Sequence, residues 1–132
     1  MGRPRGFDEE QVVSAAAELF VERGYEGTSV DDLVTGLGVH RGSLYKAFGS
    51  KRGLFVAALR RRVAQLQGPG GSGDGTSLDL LLVAALELAP RDDEVRALLG
   101  DACHCLADGK PAHQSASVLG ARLLARAGLP TS

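Results

Sequence analysis

Positions 40–46 read His40, Arg41, Gly42, Ser43, Leu44, Tyr45, Lys46. Leu44 is the apolar residue that ties this segment to a core. Wound as a helix, the segment leaves Arg41, Gly42, Ser43, Tyr45 and Lys46 pointing outward, a face of cations and hydroxyls around a residue with no side chain. Such a face is what a helix-turn-helix presents to the major groove of DNA. A second group, Cys103-His104-Cys105, has the residue types of a metal site. On a helix, however, positions two apart point to nearly opposite sides, so the two thiols cannot converge on one ion. The expected reading there is a core thiol at Cys103, on an apolar stripe, beside an exposed one at Cys105. Three histidines, with no Ser/His/Asp or paired-carboxylate spacing nearby, give no sign of catalysis. No pattern calls for a cofactor or a metal.

The elements that must hold the outward face can be read upstream of it. Thr28 or Ser29 supplies the side-chain oxygen that starts a helix, and Asp31 and Asp32 complement its positive end. Val30, Leu33, Val34 and Leu37 recur at helical spacing, and Gly38 permits a sharp reversal before Val39. An earlier helix is predicted from Asp8 to Arg23, with Asp8 and Gln11 as a capping box, Phe7 stapled onto its first turn, and Gly24 ending it in the left-handed region. Its buried stripe is Val12, Ala16, Leu19 and Phe20. A fourth helix follows a Ser50 cap, with Leu54, Phe55, Ala58, Leu59, Val63 and Leu66 on one side.

Residues 68–77, Gly-Pro-Gly-Gly-Ser-Gly-Asp-Gly-Thr-Ser, offer nothing to pack and read as a flexible linker. They lack the Lys-Ser/Thr of a phosphate-binding loop. The expected organisation is therefore residues 1–67 as a helix-turn-helix domain, 68–77 as linker and 78–132 as a short helical domain. The last part fits about three helices: Leu78 to Ala89, Asp92 to Ala107 and His113 to Ala127, with Gly128 and Pro130 as stop signals. The predicted class is all-α, an N-terminal three-helix helix-turn-helix domain plus connecting helix, then a short helical C-terminal domain.

Of the 132 residues, 15 are Lys or Arg and 16 are Asp or Glu, so net charge alone does not suggest nucleic acid. Its placement does. Residues 1–67 hold ten basic against eight acidic side chains, whereas residues 68–132 hold five against eight. The basic residues cluster at Arg3 and Arg5, from Arg41 to Arg52, and at Arg60, Arg61 and Arg62. No apolar run is long enough to span a bilayer, and no apolar segment follows Met-Gly-Arg-Pro-Arg. A cytoplasmic protein with no membrane partner is expected.

The segments "AAELFVERGYEGTSVDDL" and "GLGVHRGSLYKAFGSKRGLF", at their spacing, resemble the DNA-binding domain of the TetR/AcrR family of bacterial transcriptional regulators. The resemblance covers roughly Phe7 to Leu66. It implies that the helix from His40 to about Ala47 is the recognition helix. Arg41, Gly42 and Ser43 would approach base edges, arginine pairing with guanine and the glycine admitting a close approach. Tyr45, Lys46, Lys51 and Thr28 would hold phosphates, which fix register while base contacts choose sequence. Arg3 and Arg5 would form an arm with salt-sensitive DNA contacts. Two positions depart from the family pattern. His40 stands where Ser or Thr is usual, which removes a cap and offers a DNA contact that would respond to pH. Ala47 stands where His is common. The resemblance further implies a homodimeric repressor on a partly palindromic double-stranded operator. The family's C-terminal part usually has about five helices, so the ligand pocket is weakened and a small-molecule effector is left open. The competing expectation is a helical interaction module that dimerises with, and modulates, a longer regulator.

Overall fold

A computed structural model describes residues 8–68, 75–107 and 113–130. Every regular element among them is helical. The chain divides into two compact units, one up to Ala58 and one from Leu59.

In the first unit, α1 (Glu9–Arg23) begins where Asp8 accepts from the backbone N–H groups of Glu10 (3.0 Å) and Gln11 (3.4 Å). Glu9 and Glu10 add negative charge to its positive end. Val12, Val13, Ala16, Ala17 and Phe20 form its buried face. The helix stops at Gly24, with φ 80° and ψ 168°. That pairing is extended rather than left-handed helical, and it is essentially reserved for glycine. The left-handed cap expected at Gly24 is thus replaced by a sharper exit from the helix.

Ser29 starts α2 (Val30–Leu37) through a reciprocal capping box with Asp32: Ser29 Oγ accepts from the Asp32 N–H at 3.0 Å, and Asp32 accepts from the Ser29 N–H at 2.9 Å. These bonds hold the Asp32 carboxyl below its ordinary range, with Arg23, at 3.1 Å, helping. Gly38 supplies the left-handed turn (φ 67°, ψ 32°) into α3 (Arg41–Phe48). Leu33 and Leu44 return both short helices to the core. Ser50 caps α4 (Lys51–Gln67) by accepting from the Gly53 N–H at 2.9 Å. Phe20, Tyr25 and Phe55 form a ring cluster with centroids 5.1–5.7 Å apart, which joins α1, the α1–α2 turn and α4.

The second unit begins inside α4, at Leu59, where Leu59, Val63 and Leu66 are buried. Residues 69–74 lie outside the described residues, and α5 (Gly75–Val83) starts within the stretch expected as linker. Ser77 is buried there with the leucines that follow. The first turn of a helix tolerates small polar residues, so burial of Leu78 to Val83 carries the helix back over them. The helix continues as a π-helical turn at Ala84–Leu88 and a 3₁₀ turn at Ala89–Arg91, with Pro90 in the latter. Arg96 satisfies the carbonyls of Ala89 (2.9 Å) and Pro90 (3.2 Å) at this break. Asp92 caps α6 (Asp93–Ala107), accepting from the Val95 N–H at 3.2 Å. Finally, α7 (His113–Arg126) packs on α5 and α6, and Gly128 (φ 77°) follows its last turn.

A buried carboxylate pins α5 to α7. Asp79 accepts from Arg122 Nε (2.7 Å) and Arg122 Nη2 (2.8 Å), with Arg126 at 3.3 Å. The Arg122 hydrogen bonds hold the Asp79 carboxyl below its ordinary value against the opposing effect of burial, and they raise the Arg122 guanidinium. Among the described residues no helix is long and apolar enough to cross a membrane.

Candidate nucleic-acid interface

The outward face of α3 is assembled largely as its residue types suggest. Arg41, Gly42, Tyr45 and Lys46 are exposed, with Tyr45 at 42%, and Ser43 is half-buried beside the core residue Leu44. His40 is exposed and occupies the N-cap of α3 with extended backbone (φ −73°, ψ 142°), but its ring makes no capping hydrogen bond. The recognition segment is therefore shifted by one residue from that expected: α3 proper runs from Arg41 to Phe48.

Gly42 separates the needs of folding from those of contact. Two other glycines of this unit are required by backbone neighbours. A β-carbon at position 53 would lie 1.9 Å from the Phe48 carbonyl oxygen, and at position 27 it would lie 2.2 Å from that of Arg23, whereas at position 36 it would meet only the tip of the Leu19 side chain, at 2.9 Å. At position 42 a β-carbon meets nothing within 4 Å. Gly42 also lacks the positive φ that favours glycine at Gly24, Gly38 and Gly49. Nothing inside the described chain therefore asks for glycine at this exposed point.

Two of the expected phosphate ligands make contacts within the fold. Thr28 is 0% exposed, and its hydroxyl donates to the Gly24 carbonyl at 2.7 Å. It closes the α1–α2 turn and has no surface to offer a phosphate. Ser29, one residue later, is the cap. Lys51 does stand at the start of α4, but its ammonium is already engaged. It donates to the Tyr25 and Thr28 carbonyls at 3.1 Å each, lies 3.7 Å from Glu26 Oε1, and sits 4.2 Å from the centre of the Tyr25 ring. An ammonium has three hydrogens. With its side chain only 21% exposed, Lys51 acts as a clasp between α4 and the α1–α2 turn. Tyr25 and Glu26 are the partners that local spacing did not reveal, because they lie 26 and 25 residues away in sequence.

Arg41 has an internal partner as well. Its Nη2 donates to Asp31 Oδ1, pairing the first turn of α3 with the first turn of α2. Asp31 is 81% and Arg41 50% exposed, so the pair lies in solvent on the side of the outward face. Local sequence places Asp31 only beside the positive end of α2.

Arg3 and Arg5 lie outside the described residues. Arg60, from the basic run on α4, pairs with Glu94 of α6. Cys103 and Cys105 are both half-buried free thiols, in place of the expected buried and exposed pair. Among the described residues no group of three His, Cys, Asp or Glu side chains could hold a metal.

Comparison with known proteins places this geometry in context. The profile of bacterial regulatory proteins of the tetR family matches residues 12–58, which contain α2, the Gly38 turn and α3. The chain is 50% identical over 60 residues to the uncharacterized HTH-type transcriptional regulator YezE of Bacillus subtilis, covering 46% of this chain and 31% of that protein. It is 48% identical over 62 residues to the HTH-type transcriptional repressor BdcR of Escherichia coli, covering 47% and 32%. A likeness of 40% over 63 residues links it to the HTH-type transcriptional activator FasR of Mycolicibacterium smegmatis, covering 48% and 29%. In each case the matched stretch spans about a third of the relative's length.

Proposed function

We propose that this chain, whose residues 12–58 match the model of bacterial regulatory proteins of the tetR family, binds double-stranded DNA sequence-specifically as a homodimeric transcriptional repressor. The observation that carries this reading is the face of α3: Arg41, Tyr45 and Lys46 exposed around Gly42, whose missing side chain no internal contact requires. A partner that approaches the helix closely gives the glycine a purpose. Major-groove edges fit that description, with the Arg41 fork matching guanine O6 and N7. His40 and Ser43 flank it as further base contacts, and Tyr45 and Lys46 supply phosphate contacts that set register. Arg3 and Arg5 would add an arm on neighbouring backbone.

Two such helices related by a twofold axis would enter successive major grooves of a partly palindromic operator. The homodimer is supported by the large apolar side chains Leu123, Leu124 and Leu129, exposed on or just after α7. Repression would follow from occupying the site against polymerase. BdcR is named a repressor and FasR an activator, so the matched unit occurs with either outcome.

The test is a salt-controlled titration of the full chain against DNA from upstream of its own gene, with a shuffled duplex of equal length as control and light scattering on the same sample. Preference for the native duplex with two subunits per site is the expected result. Equal or absent binding to both duplexes would overturn it, and would turn attention to a helical module that pairs with a longer regulator.

A further inference from the structure

We propose that Asp31 is a specificity-determining positioning residue, which acts on DNA recognition through Arg41; the inference rests on the DNA-binding reading above. Two adjacent acids open α2, and the structure gives them different work. Asp32 makes the capping box with Ser29 and pairs with Arg23 at 3.1 Å. Asp31 makes neither contact. Its carboxylate instead accepts from Nη2 of Arg41, the first residue of α3 and the base contact proposed above.

The pairing has two consequences for a nucleic-acid surface. First, a guanidinium carries five N–H donors in a rigid planar fork. A carboxylate on one Nη2 hydrogen leaves Nε, Nη1 and the other Nη2 hydrogen to address two acceptors of a base. Asp31 thereby limits the orientations of a side chain that is otherwise half in solvent. Second, the pair is electrically neutral. A bare Arg41 would attract phosphates of every sequence, because phosphate attraction is indifferent to bases. Asp31 cancels that attraction and repels misplaced backbone, while a guanine presented in register still finds the free edge of the fork. Charge juxtaposition of this kind suppresses wrong partners more than it strengthens the right one.

The experiment begins with the full wild-type chain and a random-sequence duplex pool, from which the bound sequence is selected. Affinities for that duplex and for a shuffled one are then measured against salt for wild type, Asp31→Asn, Arg41→Ala and the double variant. Asp31→Asn keeps the side chain's shape, and its exposed position spares the core. Asp31→Asn is expected to bind the shuffled duplex about three- to tenfold more tightly at low salt, with a salt slope steeper by about one. The ratio of selected to shuffled affinity should fall by a similar factor, with the relaxation confined to the base pair that Arg41→Ala also relaxes. In the Arg41→Ala background, Asp31→Asn should leave the ratio unchanged, which is the signature of action through Arg41. Asp32→Asn serves as the structural control, lowering thermal stability without moving the ratio. An unchanged ratio in Asp31→Asn, or an equal change with and without Arg41, would overturn the proposal. Failure of the wild type to select any sequence would instead overturn the DNA-binding reading itself, before any variant is compared.

Discussion

Gly42 sits in the first turn of an exposed helix with open space where a side chain would be. Alanine there should favour the helix by about 0.4–1 kcal/mol, since glycine loses more backbone freedom on folding. The same methyl group should obstruct close approach to a groove. Gly42→Ala is therefore expected to raise the urea midpoint while weakening binding to the selected duplex, and a variant that gains stability without losing affinity would refute the contact. Lys51 makes the opposite case. Lys51→Met removes donors from two main-chain carbonyls and should cost about 1–3 kcal/mol of stability, read by urea denaturation. Its salt slope on a shuffled duplex should stay at the wild-type value, whereas loss of a phosphate contact would reduce it by about one. The exposed residues of α3 were legible in the sequence because helical spacing around Leu44 settles which of them face outward. The internal contacts of Thr28 and Lys51 were not. The turn that buries one and clasps the other is built from Gly24, Tyr25 and Glu26, and no periodic pattern records where a loop carbonyl will point.

At the scale of elements, caps were the most readable feature. Asp8, Ser29 and Ser50 each accept from a first-turn N–H, as their residue types require. Ser29→Ala should accordingly cost about 1 kcal/mol, measured as a shift in the denaturant midpoint. The break after α5 was harder to foresee, because a continuous apolar run from Leu78 to Ala89 does not reveal a wide π turn followed by a tight 3₁₀ one. Nor does local spacing reveal the bond between α5 and α7, since Asp79 and Arg122 are 43 residues apart. This ion pair has a pH signature. The Asp79 carboxyl is depressed below its ordinary 3.8 in the folded chain, so its stabilisation is fully present above that value and is lost as pH falls through the lower folded one. The stability difference between wild type and Asp79→Asn should be about 1.5–3 kcal/mol near neutrality and should shrink below about pH 4. A difference that is constant with pH would mean that the carboxylate's charge contributes nothing.

At the scale of the whole molecule, the expected division and the observed one fall at different places in the chain. The glycine-rich stretch drew the expected division to residues 68–77, whereas the compact units meet within α4, between Ala58 and Leu59. A helix gives no sign along its sequence of where one core stops and another begins, because the same apolar spacing serves both. The proposed homodimer makes its own prediction. Leu124 is exposed, so Leu124→Glu should leave the monomer's thermal stability nearly unchanged while halving the mass seen by light scattering. Unaltered mass would move the interface away from α7. The open space around Gly42 carries a consequence for descent with modification. A mutation that alters most DNA-facing surfaces must also satisfy the core beneath, and selection then acts on both at once. Position 42 is released from that coupling. On the proposed reading of α3, lineages carrying this fold would reach new operators through that position without first passing through poorly folded ancestors.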